Sequence, residues 1–492
     1  MLAQYMAPIM FAGLVVFLLI GYPVAFSLAF TGLAFGYLGV ELGMLQPALL
    51  QALPERIFGI EANETLLAVP FFTFMGLILE RSGMAEDLLD TIGQVFGSIR
   101  GGIAYAVVFV GALLAATTGV VAASVLAMGL ISLPVMMRYG YSNRLSTGVI
   151  AASVTLAQII PPSLVLIVLA DQMGVSVGDM YEGALFPGLG LAAAYAVWVF
   201  IVSMVKPAAA PGCPPEMRTL HGGKLALRVV TSMVPPLVLI FLVLGTIFLG
   251  VATPTEGGGM GATGALLLAL AKRKLSWKLL REAVESTATM TSFVMFILVG
   301  STVFSLVFRG VDGDLWVERL LLHVPGGALG FLIVVNVMIF LLAFFLDYFE
   351  IAFIIVPLLT PVAQKLGIDL IWFGVLLAVN MQTSFLHPLF GFALFYLRSV
   401  APKSVKTADI YWGAIPFVVI QVLMVATVIA FPSLVSGNVT AAATVKGTGE
   451  EELRRQLGEP VETSPAPQAP AQGEPKSDDA ASEIERALRE GK

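Results

Sequence analysis

Long apolar runs separated by short polar breaks dominate the chain. Two lie within residues 7–40, with a turn at Gly21-Tyr22-Pro23. Residues 45–63 are less apolar, which predicts an interfacial segment. Further runs cover 65–79, 102–137, 145–170, 184–205, 229–251, 257–271, 290–308, 328–363, 370–397 and 415–431. A spanning helix needs about 20 apolar residues, so the pattern predicts an all-α integral membrane protein with many spans. Past Pro432 the pattern stops. "ETSPAPQAPAQGEPKSDDAASE" cannot bury enough apolar surface to order itself. A disordered polar tail is expected over 433–492, with "EIERALRE" at most a short helix.

Composition agrees with a bilayer environment. Of 492 residues 58% are hydrophobic and 12% charged, with mean hydropathy +0.92, against about 25% charged in soluble domains. The net charge of −6 is mostly the tail's: residues 445–492 hold 11 acidic and 7 basic groups, or −4. The membrane part is near neutral, and nothing points to nucleic acid. A single cysteine, Cys213, excludes an internal disulfide and a Cys-based metal cluster. The first apolar run lacks a basic start and leads straight into a second, unlike a cleavable leader.

Lys and Arg in short loops orient the chain. One loop carries Lys206, Arg218, Lys224 and Arg228; another carries Lys272, Arg273, Lys274, Lys278 and Arg281. Two spans separate these loops, so both lie in the cytoplasm. Counting from them, Arg100, Arg138, Arg144, Arg398, Lys403 and Lys406 fall inside, Asp312 and Asp314 outside, and both termini outside.

An internal repeat changes the picture. "LPVMMRYGYSNRLSTGVIAASVTLAQIIPPS" lies over "TPVAQKLGIDLIWFGVLLAVNMQTSFLHPLF". Pro134, Val135, Arg138 and Gly140 match Pro361, Val362, Lys365 and Gly367. After a one-residue slip, Gly148, Ala152 and Pro162 match Gly374, Ala378 and Pro388. Before each copy stands a long apolar stretch with a polar nick, "AATTGVV" in one and "FFLDYFE" in the other. Each stretch is either a re-entrant hairpin or two spans with a tight turn. The hairpin is favoured, because a polar tip at membrane depth is tolerated where protein or water surrounds it. Five crossings separate the two, so the repeats are inverted. Such repeats place substrate and ion sites near the midplane.

Both copies contain a break in an apolar helix. Pro161 and Pro162 remove two backbone donors and free the carbonyls one turn earlier. Na⁺ is a candidate to take those oxygens, and the half-helix beyond offers N–H groups and a positive dipole end to a carboxylate. Thr117, Thr118 and Gly119 form the first tip, with Ser124 one turn on. Thr155, Gln158 and Ser163 flank the first break; Asn380, Gln382, Thr383, Ser384 and His387 flank the second. Their oxygens are hard donors, although a buried Ser or Thr often only packs or bonds back to its own helix. Asp347 and Glu350 stand in an apolar run, as ion ligands, proton carriers, partners of a cation, or groups solvated by a wet hairpin mouth. His387 is a structural hydrogen-bonding group or a substrate contact. Glu256 follows Thr255, expected as a helix N-cap. His221, His323 and His387 are scattered, and no HExxH or similar motif exists. An enzyme is therefore not expected, and a channel is the remaining non-carrier alternative.

At these residues the sequence resembles a known family. "AVPFFTFMGLILERSG", "AATTGVVAASVLAMGLISLPVMMRYGY", "IIPPSLVLIVLADQMGVSVGDMYEGALFPGL", "TPTEGGGMGA" and "GIDLIWFGVLLAVNMQTSFLHPLFGFALFYLRSVAP" are similar to the large membrane subunit of tripartite ATP-independent periplasmic (TRAP) transporters. The similarity covers about residues 1–432. It implies Na⁺-driven import of a small organic acid across the bacterial inner membrane by an elevator motion. It implies two partners, a small four-helix membrane subunit and a periplasmic substrate-binding protein, and no cofactor besides the coupling ion. By that resemblance Thr117, Thr118, Gly119, Pro161 and Pro162 belong to one Na⁺ site, and Asp347, Asn380 and Pro388 to another. Thr118, Gln158, Ser163, Thr383, Ser384 and His387 are the expected substrate contacts. The domains follow: scaffold over 1–63 and 184–285, transport domain over 64–172 and 287–400, and a final helix over 412–432. The second break departs from the family's Thr-Pro-Pro wording. "FLHPLF" has one proline, as in the branch labelled for mannitol or chloroaromatic compounds, some of whose members take 2-oxo or 2-hydroxy acids. A stand-alone elevator carrier of citrate or dicarboxylate is the alternative reading.

Overall fold

A computed structural model describes residues 2–118, 121–212, 221–344, 346–387, 391–435 and 437. Nearly all of the expected tail, together with Cys213, Arg218, Gly119 and Pro388, lies outside these residues, as do the side chains of Thr117 and Thr118. The described residues are helical or irregular and contain no strand.

The chain opens with α1 (Leu2–Ile20) and α2 (Val24–Glu41), turning at Gly21, whose φ is +92°. Two short helices, α3 (Pro47–Gln51) and α4 (Leu53–Glu61), bury none of their residues, as an interfacial segment requires. Then come α5 (Ala68–Arg81), α6 (Met84–Val95), α7 (Gly102–Thr118) and α8 (Val121–Arg138). The first broken helix is α9 (Asn143–Thr155) and α10 (Leu164–Met173). Four long helices follow: α11 (Val177–Val205), α12 (Gly222–Phe248), α13 (Pro254–Ala271) and α14 (Trp277–Gly310). A short α15 (Gly313–Leu322) turns 116° into α16 (Gly327–Leu342). The stub α17 (Tyr348–Glu350) runs through a π-helical turn at Ile351–Ile355 into α18 (Val356–Lys365). The second broken helix is α19 (Leu370–Met381) and α20 (Phe392–Val400), and α21 (Thr407–Ala430) ends the bundle.

Six of these helices are long and apolar enough to cross a bilayer, or eight with the two bent pairs. Their outer faces carry large apolar side chains, such as Phe200 and Met204 on α11 and Val419 and Leu423 on α21. Exposed apolar surface on this scale belongs against lipid. Ion pairs agree with the charge-based orientation. Arg228 and Lys272, from the two loops counted to the cytoplasm, share Asp87, and Arg144 pairs with Asp409, three residues after Lys406 of another cytoplasmic loop.

The repeat is visible element by element. Arg138 and Lys365 end α8 and α18, and Gly140 (φ +80°) and Gly367 (φ +69°) take left-handed positions after them. Ser142 and Asp369 then cap α9 and α19 through side-chain oxygens that accept from Leu145 and Trp372 N–H. Gly148 and Gly374 keep their helices thin for matched neighbours. A Cβ on Gly148 would meet the Gly413 carbonyl oxygen of α21 at 2.0 Å, and one on Gly374 would meet Met180 of α11 at 2.5 Å. Small residues permit such close approach between membrane helices.

The two copies also exchange their second halves. α10 packs on α19 and on the α17–α18 hairpin arm of the second copy, while α20 packs on α8 and α9 of the first. Leu397 and Val400 of α20 rest over Gly129 of α8. A second tight seam joins α2 to α14: a Cβ on Gly300 would meet the Ala25 carbonyl oxygen at 2.4 Å. α14 also reaches the π turn, where the Ser301 hydroxyl donates to the Phe353 carbonyl at 2.5 Å.

α14 runs unbroken through residues 285–287. Two further points differ from the sequence reading. The N-cap of α13 is Thr253, not Thr255: Thr253 and Glu256 form a reciprocal capping box around Pro254. Thr255 instead donates to the Glu64 carbonyl at 2.6 Å. The short helices α6, with Glu86, Asp87 and Asp90, and α15, with Asp314, Glu318 and Arg319, were not among the predicted apolar runs.

Candidate substrate and cation site

The first break forms as its prolines require. α9 tightens into a 3-10 turn at Leu156–Gln158, and the chain then runs irregularly through a cis Pro161-Pro162 bond to Ser163. Pro162 cannot donate to the carbonyl four residues earlier, that of Gln158. The Ser163 hydroxyl fills the vacancy, donating to the Gln158 carbonyl at 2.7 Å. Tyr181 of α11 donates to the Ser163 carbonyl at 3.3 Å, and Tyr348 of the second hairpin donates to the Val165 carbonyl. Two neighbouring helices thus close backbone that a lone kink would expose. The Gln158 carbonyl keeps a second lone pair beside the one that accepts from Ser163.

The second break is built alike but finished differently. α19 tightens into a 3-10 turn at Gln382–Leu386, and His387 leaves it extended. Thr383 donates to the Asn380 carbonyl and Ser384 to the Met381 carbonyl, each at 2.7 Å. Thr155 does the same to Ala152 at 2.8 Å. These hydroxyls spend their proton on their own helix and keep oxygen lone pairs for a ligand. The Asn380 amide donates to the Asn336 carbonyl at 2.8 Å and side-chain oxygen at 3.0 Å, tying α19 to α16. His387 is 1% exposed and lies between Phe344, stacked at 4.0 Å, and Phe340, edge-on at 4.6 Å.

The second hairpin meets both breaks, through Tyr348 to α10 and through Phe344 to His387. At its bend Asp347 is an N-cap. Its carboxylate accepts from Phe349 N–H at 2.5 Å, and Glu350 accepts from Asp347 N–H at 2.9 Å. Both carboxylates therefore hold the hairpin's turn as well as being candidates for cation contact. Across the bundle, Ser124 of α8 donates to Glu80 of α5 at 3.3 Å.

The telling feature is what remains unpaired. Among the described residues nine buried side-chain polar atoms lack a hydrogen-bond partner. Six belong to Gln158, Gln382, His387 and Gln421. Native proteins rarely leave such atoms orphaned without a reason such as a missing ligand. Gln421 lies next to the first break: its amide donates to Thr155 at 3.3 Å and Tyr195 at 2.9 Å, with its oxygen spare. The breaks themselves are in contact, through α9 with the 382–386 turn and α10 with α19.

The structure thus brings Gln158, Pro161, Pro162, Ser163, Asp347, Asn380, Thr383, Ser384 and His387 into one connected region. Thr117, Thr118, Gly119 and Pro388 lie outside what it describes at side-chain level. Sequence reasoning passed over Tyr181, Tyr348, Asn336 and Gln421. Asn336 and Gln421 are single amides inside apolar runs and were a readable signal; the tyrosines were not. No group of three His, Cys, Asp or Glu among the described residues could hold a metal. What the region offers is amide and hydroxyl oxygen, suited to a hard monovalent cation, beside two half-helix N-termini suited to an anion.

Comparison with known proteins decides the family. The profile described as tripartite ATP-independent periplasmic transporter, DctM component, matches residues 11–434. The chain belongs to that family. It is similar to the C4-dicarboxylate TRAP transporter large permease protein DctM of Pseudomonas aeruginosa, 29% identical over 80% of this chain and 90% of that one. It is similar also to the ectoine TRAP transporter large permease protein TeaC of Halomonas elongata, 26% identical over 87% and 98%. Among solved structures, the YdaH transporter of Alcanivorax borkumensis superposes with a TM-score of 0.57 over 79% of this chain and 90% of that one, at 15% identity; this likeness concerns the fold. The chain is therefore a multi-pass large permease subunit of a transporter with three components.

Proposed function

We propose that this subunit imports a small organic acid driven by Na⁺, receiving it from a periplasmic binding protein and working beside a small four-helix membrane subunit. The observation that carries the reading is the meeting of two matched helix breaks with orphaned amide atoms at Gln158 and Gln382. Cations are held by oxygens of Thr117, Thr118, Gly119, Pro161, Pro162, Asp347, Asn380 and Pro388. The acid's carboxylate faces the N-termini of α10 and α20, with Thr118, Gln158, Ser163, Thr383, Ser384 and His387 around it. Names of relatives differ in substrate, C4-dicarboxylate for one and ectoine for another. A carboxylate, in the 2-oxo or 2-hydroxy acid class, is the substrate proposed here.

Transport follows by alternating access. The moving body comprises α7–α11 and α16–α21. α11, expected in the scaffold over 184–205, is assigned to the moving body in this reading, supported by Tyr181 and Gly188 against the first break and Gly183 against α19. The frame comprises α1, α2, α12, α13 and, unlike the expected division, α5 and the whole of α14, because the tight seams of α2 with α14 and of α5 with α13 join them. Each Na⁺ crossing 100 mV contributes about 2.3 kcal/mol, enough with two or more ions to concentrate an acid strongly.

The test is uptake by the full three-component assembly in proteoliposomes. Uptake is expected with external Na⁺ and not with K⁺; equal uptake in K⁺ overturns the coupling. Uptake without the soluble component would mark a stand-alone carrier instead. Asp347→Asn and Thr118→Ala are expected to shift the Na⁺ dependence, and an unchanged dependence in both removes these residues from the cation sites.

A further inference from the structure

Away from the central site, a cavity of about 290 Å³ opens where α9, α11 and α21 meet, at the ends that the charge pattern puts in the cytoplasm. Its wall includes Arg144, Trp198, Val202, Lys206, Trp412 and Phe417. Arg144 pairs with Asp409 at 3.2 Å, while Lys206 has no ion-pair partner among the described residues. Trp412 is 59% exposed, and the neighbouring wall residue Val205 is 70% exposed. The wall is therefore mixed: Arg144, Lys206 and Trp412 lie towards the helix ends, and Val202 and Trp198 follow about one and two turns further along α11. Indoles of this kind mark the headgroup level of a bilayer, and basic pockets between helices on the cytoplasmic side suit anionic headgroups.

Charge discriminates between occupants: Lys206 has no ion-pair partner among the described residues and shares the groove with Arg144 and the Trp412 indole, a set that suits an acidic headgroup above an acyl chain. The N-termini of α9 and α21 open at the same rim and add partial positive charge. We propose that this groove binds one acidic glycerophospholipid of the inner leaflet, its phosphate on Lys206 and Arg144 and one acyl chain lying along Trp198, Val202 and Val205.

The test places the purified full chain in nanodiscs of equal phosphatidylglycerol and phosphatidylethanolamine and reads retained lipid by native mass spectrometry. The unaltered protein is expected to retain phosphatidylglycerol preferentially; equal retention of the two lipids overturns the proposal without reference to any variant. One cation near the surface changes affinity about fivefold. Lys206→Glu is expected to lower phosphatidylglycerol retention at least that much, and Lys274→Glu, a basic position outside the groove, to leave it unchanged. Retention by Lys206→Glu equal to the parent's overturns the assignment. A photo-crosslinker at position 205 in the whole assembly is expected to label lipid; labelling of another protein chain shows that the groove is a subunit contact and overturns the proposal.

Discussion

The two helix breaks share a sequence pattern and differ in how they are completed. The first closes most of its backbone with protein groups, Ser163 on the Gln158 carbonyl and Tyr181 and Tyr348 on the next turn, and keeps one side-chain oxygen of Gln158 unpaired. The second keeps His387 between two phenylalanines and leaves both amide atoms of Gln382 unpaired. A break sealed by protein has fixed geometry whatever is bound. A break with spare donors and acceptors has a configuration that a ligand completes. The difference assigns shape-keeping mainly to the first break and recognition mainly to the second.

The strongest way to break the comparison is to remove what both copies need. Gly148→Leu puts a side chain where the Gly413 carbonyl stands, at 2.0 Å from a Cβ, and is expected to abolish folded protein as judged by size-exclusion chromatography in detergent. Next, Gln382→Leu is expected to leave the protein folded and monodisperse while uptake falls at least 100-fold; normal uptake would return recognition to the first break. Ser163→Ala should act on both stability and recognition. It unseals a buried carbonyl, costing about 1–3 kcal/mol, so thermal stability drops, and because Ser163 also borders the acid the substrate concentration for half-maximal uptake in the surviving protein rises, by less than for Gln382→Leu. Tyr181→Phe is the smallest change, about 0.6 kcal/mol for one hydrogen bond within a membrane, read as a small decrease in melting temperature.

Much of this was legible because proline in an apolar run admits few structures. The breaks, the turn at Gly21 and the repeat from Pro134 to Pro162 follow from local rules, since backbone donors are either present or absent. The pairing of Asn380 with Asn336 and the cap at Asp347 were less accessible. One depends on which helices lie side by side, and the other on a bend inside a run that hydropathy treats as continuous. Tyr181 and Tyr348 reach the first break from 18 and 183 residues away, distances over which a single sequence carries no signal. The Thr253 cap was misplaced by two residues because Pro254 fits the first helical position, leaving the threonine before it as the cap.

The exchange of half-helices between the repeats has a consequence for biosynthesis. α8 leaves the ribosome long before α20, whose Leu397 and Val400 cover Gly129, and α10 likewise precedes the hairpin that shelters it. At roughly 5–20 residues per second, α8 waits about 13–54 s in the bilayer with one wall missing. During that interval only lipid, or an insertion chaperone, is available to cover the gap. A gene cut between the repeats should therefore yield two unstable fragments apart and a working permease when both are made together.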